Sequence, residues 1–194
     1  MVSFRFNPQD TPLVILTEGC FGEPASKTAT GVIRYGAWPI TAVLDSRHAG
    51  KTVLDVTGIP CHTPIVATLA ETLQCSPQPK ALLIGTAPMG GGLPDAYKII
   101  VLEALQAGLH VINGLHIFLN DLPDIKALAD ERGVMLWDVR SVAAENIVTR
   151  QFSRPPHTKV ITMLGHGLRP AGDGEVKLAG EIDGVKMQFH GDPL

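Results

Sequence analysis

The chain has 194 residues, of which 45% are hydrophobic and 18% charged, with a formal net charge of -3. This length accommodates one full-size domain with an appendage, and the apolar content is too high for wholesale disorder. Lysines and arginines are scattered rather than clustered, which argues against a nucleic-acid or anionic-membrane partner, so we expect a small-molecule partner.

Cysteine usage and the N-terminal sequence indicate a cytoplasmic protein. The three cysteines form no CxxC pair and are odd in number, which favours a reducing compartment over a disulfide framework. The first apolar run, Leu13–Leu16, is too short for a signal peptide or a membrane span. The histidines show no metal-ligand spacing, so we expect no structural zinc.

Short apolar runs alternate with helix-like segments through most of the chain. The runs are typical of strands buried on both faces, and the alternation predicts crossover units and a parallel sheet. We therefore predict a Rossmann-like doubly wound α/β domain over residues 1–149. Its predicted strands are 13–16, 40–44, 81–84, 111–112 and 134–137. Its predicted helices are 68–73, 95–107 and 123–132, with a further helix that runs through Arg34.

From about residue 141 the alternation stops. Residues 150–194 are predicted to form an extension: a linker, a strand at 160–164, a Gly-rich loop at 165–174 and a β-hairpin at 175–189. In the hairpin, apolar residues roughly alternate around Asp183 and Gly184, a pair that is typical of a tight turn.

The loop after the first predicted strand carries groups that suit an anion. Its glycines let the backbone approach a ligand closely, and Ser26 and Lys27 stand at the start of a predicted helix, where amides and the helix dipole favour negative charge. The loop is neither a GxGxxG fingerprint nor a P-loop, and a plain helix cap at Ser26 with a solvated Lys27 is the alternative. The predicted cofactor-binding residues are Gly19, Gly22, Ser26, Lys27 and Thr28.

The loop after the second strand begins with Asp45 and Ser46. An acid at this point holds a ribose in NAD-binding domains, but Arg47 and Lys51 follow closely, and cations suit phosphate better than a neutral ribose. The alternative is that both cations are ordinary surface charges. We predict cofactor contacts from Asp45, Ser46 and Lys51.

The loops after 81–84 and 111–112 complete the predicted pocket. Three consecutive glycines indicate a tight backbone path or a close approach by a ligand, with a flexible surface loop as the alternative. His116 is a candidate acid or base, although a lone histidine is more often structural. The predicted cofactor-binding residues here are Thr86, Ala87, Pro88, Gly90, Gly91, Gly92, Asn113 and Gly114.

Four blocks of the sequence together resemble a known bacterial family. They are TEGCFGEPASKTATGVIRYG, AVLDSRHAGKTVLDV, LLIGTAPMGGGLPDAYKIIVLEALQAGLHVINGLHIFLND and LWDVR. Between about Leu13 and Arg140 the chain is similar to the N-terminal domain of D-glutamate N-acetyltransferases (DgcN-like), long labelled as a domain of unknown function. The resemblance implies a Rossmann-like fold and acetyl transfer to a small amino acid.

A more distant likeness implies the ligand. Residues 50–120 are similar in layout to the CoA-binding domain of succinyl-CoA synthetases. By position in the fold, that likeness implies phosphate contacts from Ser26, Lys27 and Lys51, and a pantetheine path along residues 86–88.

The chain departs from the DgcN-like pattern after residue 164. Members of that family continue into a P-loop that opens a second domain, whereas here Gly165 is followed by HGLRPAGDGE. The nearest glycine spacing, Gly167 to Gly172, is followed by Asp173 in place of the lysine, and a carboxylate there repels phosphate. We therefore expect the P-loop domain to be missing.

Three functions follow from these observations. The first is an acyl-CoA- or nucleotide-binding domain of a DgcN-like N-acetyltransferase, with acetyl-CoA as cofactor, Glu18 or His116 as base, and Lys27 and Lys51 holding phosphate or carboxylate. The second is a non-catalytic ligand-binding or oligomerisation module whose hairpin assembles a homo-oligomer. The third, an NAD-dependent oxidoreductase, depends on Asp45 alone and lacks the glycine fingerprint.

Overall fold

The computed structural model describes residues 7–88 and 91–141, together with the backbone of two strands, Val176–Ile182 and Val185–Gly191. The chain forms two compact units, residues 1–147 and 148–194. The first unit contains the sheet and all the candidate site residues.

Six parallel strands form the sheet of the first unit. Their spatial order is β3-β2-β1-β4-β5-β6, the order of dinucleotide-binding domains, and the predicted Rossmann-like α/β fold is confirmed. The strands are β1 (Leu13–Leu16), β2 (Ile40–Leu44), β3 (Ile65–Val66), β4 (Ala81–Ile84), β5 (His110–Asn113) and β6 (Leu136–Asp138).

Helices cover both faces of this sheet. No helix among the described residues is long and apolar enough to cross a lipid bilayer. The helices are α1 (Lys27–Tyr35), α2 (Val53–Thr57), α3 (Leu69–Thr72), α4 (Asp95–Gln106) and α5 (Pro123–Arg132).

Strand β1 shows how the apolar runs produce this layered core. Successive side chains of a strand point to opposite faces. Val14 and Leu16 therefore pack in one cluster with α3, α4 and α5, while Leu13 and Ile15 pack in a second cluster with α1 and α2. Every residue of β1 is buried, which explains the continuous apolar run that predicts it.

Three strands have the predicted bounds, and the others differ from the prediction. β6 begins at Leu136 and not at residue 134, because the Val134 amide still donates to the Ala129 carbonyl of α5 at 3.0 Å.

Two short elements, β3 and α2, were not predicted, since two and five residues are too few to show a periodicity. The capping box of Thr52 and Asp55 is the local signal for α2.

The second unit contains the predicted hairpin. β7 (Val176–Ile182) and β8 (Val185–Gly191) pair antiparallel, with Ile182 opposite Val185. The predicted turn residues Asp183 and Gly184 lie outside the described residues, as do the predicted strand at 160–164 and the Gly-rich loop at 165–174.

His110, at the start of β5, makes the stability of the fold depend on pH. Its Nδ1 accepts a hydrogen bond from the Met135 amide at 3.0 Å, and burial lowers the pKa of the imidazole below its ordinary value of 6.5. The unfolded chain therefore binds the proton more readily than the folded chain. The stability that the neutral ring contributes is complete above about pH 6.5 and is lost as the pH falls below that value.

The variant His110→Asn tests this dependence, because its side-chain oxygen can accept from the Met135 amide without titrating. We expect the thermal unfolding midpoint to fall less between about pH 7.5 and about pH 5 in H110N than in the wild-type chain. Equal falls in the two proteins would contradict the role of His110.

Candidate functional site

The strand order has its topological switch point between β1 and β4, and the region outside the carboxyl ends of these two strands is termed the crevice. The helices that follow these two neighbouring strands, α1 and α4, pack on opposite faces of the sheet. In open parallel sheets, ligands bind at this topological switch point. The sheet thus places the first and third predicted binding loops on the two sides of one crevice.

The loop after β4 packs tightly against the start of α1. The Ala29 amide donates to the Gly85 carbonyl and the Ala87 amide donates to the Ala25 carbonyl, both at 2.9 Å. A Cβ at Gly85 would lie 2.5 Å from Ile15 Cγ2 and 2.9 Å from Ala29 Cβ. Only glycine allows this approach, which fixes the start of α1 beside the crevice.

Tyr97 of α4 joins the two sides of the crevice. Its hydroxyl accepts a hydrogen bond from Thr86 Oγ1 at 3.1 Å, donates to the Glu18 carbonyl at 3.3 Å, and lies 3.7 Å from Cys20 Sγ. Burial raises the pKa of the Tyr97 phenol and of the Cys20 thiol, so both groups are protonated at neutral pH. The sequence reasoning missed Tyr97, since it lies on the buried face of a strongly apolar helix.

Asp45, at the end of β2, lies inside the fold and holds two loops together. Its side chain is fully buried, and its carboxylate accepts from the amides of Phe21, Arg47 and His48 at 2.9, 3.1 and 3.2 Å. The Thr17 hydroxyl, at 3.3 Å, is a further donor. Asp45 therefore supports the loops after β1 and β2 and presents no surface to a ligand.

Two surface contacts add to this support. The Glu18 carboxylate accepts hydrogen bonds from the Ser46 amide at 3.0 Å and from the Ser46 hydroxyl. Arg47 Nη1 donates to the Gly19 carbonyl at 2.9 Å and pairs with Glu23 at 2.6 Å. Hydrogen bonds and an ion pair thus hold the loops after β1 and β2 together beside the crevice.

His48 is a second residue that the sequence reasoning did not single out. Its Nδ1 lies 3.2 Å from Asp45 Oδ1, and the side chain is 18% exposed. Because a carboxylate accepts hydrogen bonds, this contact favours the imidazole tautomer that has a proton on Nδ1 and an acceptor at Nε2. An imidazole oriented in this way can act as a base, so His48 joins Glu18 and His116 as a candidate for proton transfer.

Comparison with known proteins identifies the family of this domain. The model of the Rossmann-like domain of unknown function DUF1611_N matches residues 46–142, half of the chain. The chain belongs to the DUF1611_N family of Rossmann-like domains. The predicted membership of the family long labelled as of unknown function is confirmed.

Two relatives of this DUF1611 chain are informative. Over 61 residues it is 41% identical to a D-glutamate N-acetyltransferase of Tritonibacter scottomollicae, a match that covers 31% of this chain and 18% of that protein. It is 39% identical to a DUF1611 family protein of Anabaena variabilis whose crystal structure superimposes with a TM-score of 0.64, covering 70% of this chain and 38% of that one. The match spans less than two thirds of the length of either relative.

In this DUF1611 domain the glycine-rich loop contacts the loop after β5. Gly91 has a φ of +67°, and its carbonyl accepts from the His116 amide at 3.2 Å. A Cβ at Gly91 would lie 2.6 Å from His116 Cδ2, so the glycine is needed for a tight backbone path. Gly92 is exposed, and Gly90 lies outside the described residues.

Asn113, predicted to bind the cofactor, is buried and bonded within the fold. Its Nδ2 donates to the Ile117 carbonyl at 2.8 Å and to Asp138 Oδ1 at 2.7 Å, and its Oδ1 accepts from the Leu115 amide at 2.9 Å. The side chain therefore shapes the loop that carries His116. Gly114, its neighbour, is partly exposed at the carboxyl edge.

Ser26 is likewise engaged inside its own loop. Its hydroxyl accepts from the Gly22 amide at 3.1 Å and donates to the Glu23 carbonyl at 2.9 Å, and the residue is fully buried. It makes no cap hydrogen bond to α1. A phosphate contact from Ser26 would require its hydroxyl to turn outwards.

The predicted cations and bases occupy different parts of the edge. Lys27, at the first position of α1, and Lys51, after Gly50 with a φ of +83°, are both exposed. The Glu18 side chain, in the loop after β1, contacts the loop after β2, whereas His116 contacts the loop after β4. The structure thus assembles the predicted loops along one edge without bringing Glu18 and His116 into contact.

Proposed function

We propose that this chain binds an acyl-CoA, or a related nucleotide, at the carboxyl edge of its sheet. It would serve as the cofactor-binding domain of a DgcN-like N-acetyltransferase that acts on a small amino acid such as D-glutamate. The name and the 41% identity of the D-glutamate N-acetyltransferase relative support the reaction class. The observation that carries the ligand class is the exposed Lys27 at the first position of α1, the helix that follows β1 at the switch point between β1 and β4.

Charge along the edge supports a phosphate-bearing cofactor. Lys27 and Lys51 are exposed, and neither side chain forms an ion pair with any residue that the structure describes. Lys27 also stands where the first amides of α1 and the helix dipole favour negative charge. In this arrangement Lys27 binds a phosphate of the cofactor, and Lys51 binds phosphate or the carboxylate of the amino acid.

The position of Asp45 argues against the NAD-dependent alternative. An NAD-binding domain needs an acid at the end of β2 that can accept from the ribose hydroxyls. Asp45 is fully buried and its two oxygens already accept from Thr17, Phe21, Arg47 and His48. With no GxGxxG sequence in the β1 loop, two determinants of dinucleotide binding are missing.

Isothermal titration of the chain with acetyl-CoA, ATP and NAD tests the proposal. We expect saturable heat with acetyl-CoA and clearly weaker binding of NAD. Heat with ATP alone would reassign the edge to a different nucleotide, and the absence of heat with any CoA ester would refute the proposed ligand.

Replacement of Lys27 tests the phosphate contact. Lys27→Ala should weaken acetyl-CoA binding roughly fivefold, because a partly solvated cation–phosphate contact is worth about 1 kcal/mol. The difference should shrink at high salt. Lys27→Arg should bind nearly as well as the wild type, since it keeps the charge.

Lys80→Ala is the matched control. Lys80 precedes β4 at the opposite edge of the sheet, where its Nζ donates to the Asp10 carbonyl at 2.8 Å. Its replacement should leave acetyl-CoA affinity unchanged. Equal losses in K27A and K80A would show that net charge, not a local contact, governs binding.

A further inference from the structure

A groove runs along the outer side of α1, between that helix and α2. Its volume is about 420 Å³, and Lys27 and Arg34 of α1 face Val56 and Thr57 of α2 across it. Small-molecule sites have volumes of about 300–1,000 Å³. Gly22 of the β1 loop lines the same groove, so the groove starts beside the crevice and extends away from it.

Two cations without partners line this α1–α2 groove. Lys27 and Arg34 are seven residues apart, which places them on one face of the helix and about 10 Å apart along its axis. Both are exposed, and within the described part of the chain neither side chain forms a hydrogen bond or an ion pair. The groove therefore presents two separate positive charges to an anionic ligand.

Gly31 leaves the middle of the groove open. Glycine is a poor residue for a helix interior, yet Gly31 lies at the fifth of the nine positions of α1. A Cβ built there would meet no atom within 4 Å, so packing does not require a glycine at this position. The missing side chain instead lets a flat group approach the helix backbone between the two cations.

Tyr35 ends the helix beside Arg34 and also lines the groove. Its side chain is 84% exposed, the highest value among the large hydrophobic residues that the structure describes. An exposed aromatic ring beside a cation offers a stacking surface for a nucleotide base.

We propose that the α1–α2 groove binds the 3′-phosphoadenosine end of an acyl-CoA. Arg34 pairs with the 3′-phosphate, Lys27 pairs with the pyrophosphate, and the adenine lies over Gly31 and against Tyr35. The pantetheine arm then passes the start of α1 into the crevice between β1 and β4. This assignment rests on the proposed function and specifies which part of the cofactor each end of the site recognises.

Titration with acetyl-CoA and with 3′-dephospho-acetyl-CoA tests the role of Arg34. The wild-type chain should bind acetyl-CoA roughly five- to tenfold more tightly, because only acetyl-CoA carries the phosphate that pairs with Arg34. Arg34→Ala should remove that preference, with unchanged affinity for the dephospho ligand. Arg132→Ala, an exposed arginine in the last turn of α5, is the control and should keep the preference. A wild-type chain that binds the two ligands equally, or an R34A variant that still distinguishes them, overturns the proposal.

The variant Gly31→Gln distinguishes an effect on ligand binding from an effect on stability. Glutamine favours the helix, so the unfolding midpoint of this variant should rise, while its side chain enters the groove and should lower acetyl-CoA affinity at least fivefold. A variant that is more stable and binds as tightly as the wild type would show that the groove is not used.

Adenosine 3′,5′-bisphosphate distinguishes this inference from the proposed function. If this probe binds the wild type but not R34A while acetyl-CoA gives no heat, the groove is a nucleotide site and the acyl-CoA function is wrong. If acetyl-CoA binds and the probe does not, the function stands and the groove assignment is wrong.

Discussion

Asp45→Ala should lower the free energy of unfolding by about 3 kcal/mol, because it leaves four donors without their acceptor, two of them in buried hydrogen bonds. The donors are the amides of Phe21, Arg47 and His48 and the Thr17 hydroxyl, all within 3.3 Å of the carboxylate. Urea unfolding followed by far-UV circular dichroism measures the loss. Hydrogen exchange should be faster at the Phe21 and Arg47 amides, because both loops lose the group that joins them.

Two further variants show how much of this loss of stability is specific to the Asp45 carboxylate. Asp45→Asn keeps one acceptor oxygen and should be destabilised by roughly half as much as D45A. Asp121→Ala removes an exposed aspartate at the same edge and should leave the unfolding midpoint nearly unchanged. If D45A is as stable as D121A, the Asp45 carboxylate does not hold the loops together.

Asp138→Ala should destabilise the chain by about 2–3 kcal/mol for the same physical reason. At the end of β6, the Asp138 carboxylate accepts from the amides of Leu119 and Asn120 at 2.9 and 3.1 Å, and from both asparagine side chains, Asn113 and Asn120, at 2.7 Å. The residue is 5% exposed, so solvent cannot replace the lost acceptor.

The effect of D138A should concentrate on the loop that carries His116. Hydrogen exchange at the Leu119 and Asn120 amides should accelerate strongly, while the Phe21 amide, held by Asp45, should remain protected. Asp138→Asn, with one acceptor oxygen, should fall between D138A and the wild type. Equally faster hydrogen exchange at all amides of the sheet would indicate that the whole fold is destabilised and that Asp138 does not support this loop specifically.

Local sequence patterns were sufficient for most of the fold. The residues of β1, β2 and β4 are buried on both faces, so their runs of apolar side chains alone predict them. α5 has Pro123 at its first position and Gly133, with a φ of +64°, after its last, and both signals are local. The carboxyl-edge location of the site follows from the parallel sheet that this alternation implies.

The roles of individual site residues could not be predicted in the same way. The sequence places Asp45, Ser26 and Asn113 in loops at the carboxyl edge, where a polar side chain can face either a ligand or the interior. Asp45 turns inward because its donors come from Thr17 and Phe21, which are 28 and 24 residues away. The Tyr97 hydroxyl donates to the carbonyl of Glu18, which lies 79 residues earlier in the chain. No local sequence pattern predicts a contact of this kind.

The sequence by itself determined the longer strands and helices, though not β3 and α2, together with the parallel pairing and the edge at which the polar loops gather. These features depend on local propensity and on the burial of apolar runs. Only the tertiary structure decided which polar groups support the loops and which remain exposed. Hydrogen bonds between loops that are distant in the sequence satisfy Asp45, Asn113 and Asp138, and leave Lys27 and Arg34 on the open side of α1.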